Sequence, residues 1–183
     1  MNKIYFVRHA HSIYTPDELN RPLSIKGLKD AEKVTDFLKE EDIDLVYSSP
    51  YKRAIQTIQG VADYLDVPIQ IEDNFRERLL SDYPVEDFNE AITKVWQDYD
   101  YSFQGGESNN VAQRRGIISL LKVMQEHPDK NIVIGTHGNI MVLMMNYYNS
   151  KYGFEFWKQL EMPDIYVLTF DNSRLIDVNR IWI

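Results

Sequence analysis

Ile4-Tyr5-Phe6-Val7-Arg8-His9-Ala10-His11-Ser12 is the stretch around which the rest of the chain is organised. Four consecutive apolar residues form the pattern of a short strand buried on both faces, as in a parallel sheet covered by helices. The chain then changes at once to a cation, two imidazoles and a hydroxyl. In open α/β sheets the carboxyl ends of the strands are where ligands bind. Taken alone, Arg8 and His9 would be a solvated strand end. Two later segments repeat the pattern. Asp44 to Tyr47 runs into Ser48-Ser49-Pro50, with Arg53 just beyond, and Asn131 to Gly135 runs into Thr136-His137-Gly138.

Helical patterns separate these runs. After a loop over residues 10–23, Ser24 caps a helix to about Glu40, with Leu28, Ala31, Val34, Phe37 and Leu38 at helical spacing. Ser49 as cap and Pro50 at the first helical position start a second helix, which carries Ala54, Ile58, Val61 and Leu65 inward. Val67 to Ile71 reads as a short third strand. A helix over about 85–99 lies in an aromatic segment punctuated by Gly105-Gly106. A long helix to about His127 presents Val111, Ile117, Ile118, Leu121 and Met124 inward. The helix from Ile140 to about Tyr148 is apolar nearly all round and belongs in the interior. Ile165–Phe170 and Leu175–Trp182 alternate like strands joined by the turn Asp171-Asn172-Ser173. This order predicts an α/β fold: a three-layer α/β/α sandwich with a mostly parallel sheet and a C-terminal antiparallel hairpin. With no repeat or linker, residues 1–183 read as a single domain with a helical, aromatic insert at about 80–106.

Composition sets limits on function. Hydrophobic residues are 44% and charged residues 26%, a globular balance. There is no cysteine, which removes disulfides and thiolate ligands and fits a cytoplasmic location. The first apolar run is shorter than a signal-peptide core, and the longest, Ile140 to Met145, is too short for a membrane span. A net charge of −8 argues against nucleic-acid and membrane partners. It also means that an anionic ligand needs its own positive pocket.

The three strand ends supply one. In a parallel sheet they share an edge, where Arg8, His9, Arg53 and His137 meet beside two helix N-termini with unpaired N–H groups. Guanidinium forks match the oxygens of a tetrahedral phosphate. Val7-Arg8-His9-Ala10, Ser48-Ser49-Pro50 through Arg53, Ala54 and Thr57, Arg76-Glu77, Gly105-Gly106-Glu107-Ser108 and Thr136-His137-Gly138 together resemble the histidine phosphatase superfamily, the phosphoglycerate mutase-like group. The resemblance spans residues 7–138. It implies that His9 attacks phosphorus and becomes phosphohistidine, that Arg8, Arg53 and His137 hold the phosphoryl oxygens, and that Glu77 protonates the leaving oxygen and then assists water. It implies a small phosphorylated substrate, with no metal and no cofactor.

The chain departs from the family at Ala10-His11-Ser12, where Gly-Glu or Gly-Gln is common, and at Leu79 to Pro84, where a Gly-x-x-x-Gly pattern is missing. Three rivals stay open. One is mutase-type transfer to a second phosphorylated substrate. Another is a non-catalytic phospho-ligand-binding module. The last is a metal site on His9, His11 and His137. The insert holds Lys94 against Asp82, Glu86, Asp87, Glu90, Asp98 and Asp100, a poor clamp for a second phosphate, so the expected activity is a phosphatase. Its aromatics either line the pocket mouth or form local core.

Overall fold

The computed structural model describes residues 1–183 and sets the opening run inside a six-stranded sheet. Strand β1 (Asn2–Arg8) pairs in parallel with β4 (Asn131–Thr136) and antiparallel with β5 (Asp164–Asp171). Alternate strand residues point to opposite faces. Ile4 and Phe6 therefore enter one core while Tyr5 and Val7 enter the other, and all four are buried. An unbroken apolar run is what such a position requires. Strand β2 (Leu45–Ser48) lies between β4 and β3 (Ile69–Ile71), and β6 (Arg174–Arg180) closes the far edge, giving the order β3-β2-β4-β1-β5-β6. Strands β1 to β4 are parallel, and the terminal hairpin is antiparallel.

Helices α1 (Ile25–Leu38) and α2 (Lys52–Leu65) cover one face, packing Val34, Leu38, Ile58 and Val61 on Tyr5, Val7, Val46 and Val133. The other face carries α3 (Phe88–Gln97), α4 (Asn109–Glu126), α5 (Gly138–Tyr148) and the unanticipated short α6 (Phe154–Gln159). Helix α5 is buried from Gly138 to Met145, as its all-round apolar character required. The result is the three-layer α/β/α arrangement. No helix is long and apolar enough to cross a membrane.

Two local expectations change, and one alternative left open is narrowed. Helix α4 turns Val111 and Ile118 to solvent and buries Ala112, Gly116, Ile117, Leu120, Val123 and Met124. Its inward stripe is set by close approach to α5, where a Cβ on Gly116 would stand 2.9 Å from Met144 Cγ. Helix α2 starts at Lys52, and Tyr51 precedes it with no side-chain cap. The Ser49 hydroxyl, two residues before that position, meets His137 Nε2 at 2.7 Å and accepts from the Tyr51 N–H at 3.3 Å. Four of the insert aromatics join the core: Trp96 is buried, stacks on Phe154 and meets Tyr99 edge-on, while Tyr101 and Phe103 pack against the same cluster, and Tyr83 and Phe88 stay exposed.

Leu120 is fully buried in the larger cluster. Leu120→Ala removes that packing and leaves a cavity, so it should lower unfolding stability by about 2–5 kcal/mol. Urea denaturation measures this, and a loss under about 1 kcal/mol would mean that the site collapses around the smaller side chain.

Candidate active site

The end of β1 is held in place from two directions. The His9 N–H donates to the Thr136 carbonyl at 3.0 Å, and the Ala10 N–H donates to Thr57 Oγ1 at 3.0 Å. His9 is 7% exposed. Its Nδ1 lies 2.7 Å from the Ala10 carbonyl oxygen. A carbonyl only accepts, so Nδ1 carries the proton and Nε2 keeps its lone pair. Burial, then the Arg53 charge, push the His9 pKa down to about 3, with Arg8 and Arg21 adding and the Ala10 bond opposing. The imidazole is therefore neutral at physiological pH and available as a nucleophile.

His137 comes from the end of β4 and is fully buried. Its ring centroid is 5.1 Å from that of His9, and its Nε2 meets Ser49 Oγ at 2.7 Å. Its Nδ1 is buried with no partner in the chain. Burial holds His137 well below the ordinary imidazole range, with His9 and Arg53 reinforcing the effect. Arg8 donates to the Glu161 carbonyl at 3.1 Å, and its Nε is buried without a partner. Gly138 makes room for this guanidinium, since a Cβ there would lie 3.1 Å from Arg8 Cζ. Arg53 is 3% exposed and stands 4.8 Å from the Tyr51 ring centroid, whose ring meets His137 edge-on. Two cations, two neutral imidazoles and two orphaned buried nitrogens thus gather at one edge. That arrangement suits a tetrahedral anion.

Glu77 reaches this edge from the segment after β3. Its Oε1 accepts from the Arg78 N–H at 2.8 Å and the Ile140 N–H at 2.9 Å, and its Oε2 accepts from the Asn139 N–H at 3.0 Å. The carboxylate sits on the N-terminus of α5, the favourable end of a helix for an anion. Arg115 fixes the backbone behind it by donating to the carbonyls of Asn74, Arg76 and Glu77 while pairing with the Glu107 carboxylate. Arg76 turns to the Asp73 carbonyl, but Arg78 stays close. Its buried guanidinium bonds Asn139, the residue that also bonds Glu77.

The five residues singled out from sequence, Arg8, His9, Arg53, Glu77 and His137, therefore lie on segments that meet. His11 does not join them. Its Nδ1 bonds Ser24 Oγ at 2.7 Å, and no three His, Asp or Glu side chains are gathered as a ligand set. Four further contributors were not recognised: Ser49, read as a cap; Tyr51; Asn139; and Glu18, which pairs with Arg53 at 2.8 Å. The position of Asn139 directly after His137-Gly138, at a helix start, was the one available signal.

The chain is similar to several known proteins. Phosphoserine phosphatase 1 of Hydrogenobacter thermophilus is 29% identical over 154 residues, covering 75% of this chain and 71% of that protein. The uncharacterized phosphatase PhoE of Bacillus subtilis is 29% identical over 143 residues, covering 75% and 72%. A phosphoserine phosphatase mutant from Entamoeba histolytica, solved with phosphoserine, superposes with a TM-score of 0.80 over 98% of this chain and 97% of its own at 20% identity, a likeness of fold. The family model for the histidine phosphatase superfamily, branch 1, matches residues 4–178, and the chain belongs to that superfamily.

Proposed function

We propose that the chain hydrolyses small phosphomonoesters through a phosphohistidine on His9. The observation that carries this reading is the neutral, Nδ1-protonated His9 lying against buried His137, with Arg8, Arg53 and Glu77 on the segments around it. In the first step His9 Nε2 bonds to phosphorus, the ester P–O bond breaks, and Glu77, having taken up a proton with the bound monoester, gives it to the leaving oxygen. In the second, Glu77 takes a proton from water, the water oxygen bonds to phosphorus, and the N–P bond breaks to release inorganic phosphate. In this reading Arg8, Arg53 and the His137 Nδ1 bond the phosphoryl oxygens, where charge spreads in the transition state. Such a site uses fixed guanidiniums where other phosphatases use metal ions.

Water is the acceptor in this proposal. A mutase must hold a second phosphorylated molecule and exclude water, which needs additional free cations. Lys94, the lysine of the insert, lies 4.3 Å from the Tyr101 ring centroid, and Arg21 of the entry loop is paired with Glu18 at 2.9 Å. The test supplies 3-phosphoglycerate with catalytic 2,3-bisphosphoglycerate and, separately, a panel of small monoesters with chelator present. Phosphate release from the panel, insensitive to chelator and inhibited by vanadate, is expected. Isomerisation outrunning phosphate release would make the protein a mutase instead.

A further inference from the structure

The loop between β1 and α1 lays one carboxylate on the arginine cluster. Glu18 Oε2 accepts from Arg53 at 2.8 Å, and the Glu18 carbonyl accepts from the same guanidinium at 2.9 Å. Glu18 Oε1 accepts from Arg21 at 2.9 Å, so one carboxylate bridges two arginines. The loop itself is tied down. The Lys52 N–H donates to the Leu19 carbonyl, the Asn20 N–H donates to Asp17, and Arg21 is held on the Thr15 carbonyl and over the Tyr14 ring. A surface ion pair usually contributes little. Here the partner, Arg53, is buried, and two of its donors go to a single residue.

This placement has an electrostatic consequence. Glu18 occupies part of the Arg53 fork and leaves its remaining N–H groups for a phosphoryl oxygen. The carboxylate side chain is 47% exposed, so it stands at the open side of the cluster rather than beneath it. A leaving group attached to a phosphate on Arg53 would extend past this charge. We infer that Glu18 is a specificity-determining residue that disfavours monoesters bearing an anionic group close to the phosphate and favours those of neutral or ammonium-bearing alcohols. The inference rests on the phosphatase reading.

Three monoesters of matched size test it: ethyl phosphate, 2-aminoethyl phosphate and phosphoglycolate. Wild type should favour them in the order ammonium, neutral, carboxylate. In Glu18→Gln the kcat/KM ratio of phosphoglycolate to ethyl phosphate should rise roughly tenfold, and that of 2-aminoethyl phosphate to ethyl phosphate should fall by a similar factor, as expected for one charge removed at a partly exposed site. Ratios unchanged within twofold would overturn the inference, as would an equal loss on all three substrates, which would make Glu18 a support for Arg53 only. Raising salt from about 20 mM to about 500 mM should compress the wild-type ratios toward one, a readout that needs no variant to fold. Calorimetric titration of the same esters into His9→Ala, with and without Glu18→Gln, reads the selectivity without turnover. If wild type releases phosphate neither from these nor from the wider monoester panel yet the binding order follows charge, the phosphatase reading fails and the role of Glu18 stands.

Discussion

His9→Ala is expected to lower kcat by at least about a hundredfold on every monoester while leaving the protein folded. The imidazole sits at the end of β1, beyond the buried run Ile4–Val7, and its removal takes nothing from either main apolar cluster. The backbone around it is held by Thr136 and Thr57, which the substitution does not touch. The thermal midpoint should therefore shift little, and the lost rate belongs to the nucleophile. Rapid quench of the wild type with labelled substrate should trap phosphate that is stable to base and labile to acid, and the variant should trap none. A variant retaining more than about a hundredth of the rate would rule out a covalent role for His9.

Glu77→Gln should lower kcat by about 10²–10⁴ on alkyl phosphates and far less on aryl phosphates, whose leaving oxygens depart without a proton. The carboxylate is built into the α5 N-terminus, so the substitution also has a structural effect. Each carboxylate oxygen accepts at least two N–H bonds, and the amide of glutamine sets an NH₂ against one of those pairs. The melting temperature should fall, which by itself would depress all substrates together. Glu77→Ala, which introduces no opposing donor, separates the two effects. Under the proposed role both variants show the same dependence on leaving group. An equal loss on aryl and alkyl esters in both would remove Glu77 as the acid and leave it an anchor for α5.

The chemistry written at strand ends was legible because it is local. Val7-Arg8-His9, Ser48-Ser49-Pro50 and Thr136-His137-Gly138 each place polar groups directly after a buried run, and parallel pairing then brings those ends to one edge. The same logic yielded the parallel sheet, the terminal hairpin and the buried α5. What the sequence left open depended on partners far along the chain. Ser49 reads as a helix cap, whereas the helix begins at Lys52 and the Ser49 hydroxyl meets His137, 88 residues away. Glu77 reads as a lone acid between two arginines until the Ile140 N–H, 63 residues on, binds its carboxylate.

Which side of a helix faces inward was decided in the same way. Val111 and Ile118 of α4 are apolar yet exposed, because the contact of Gly116 with α5 sets the rotation of the helix. Trp96 of the insert packs as core because α6, which sequence pattern alone did not reveal, supplies Phe154 as a surface for it. Hydrophobic periodicity specifies that a face is buried. It does not specify against what, and the approach of Glu18 to Arg53 across 35 residues belongs to that second, tertiary kind of information.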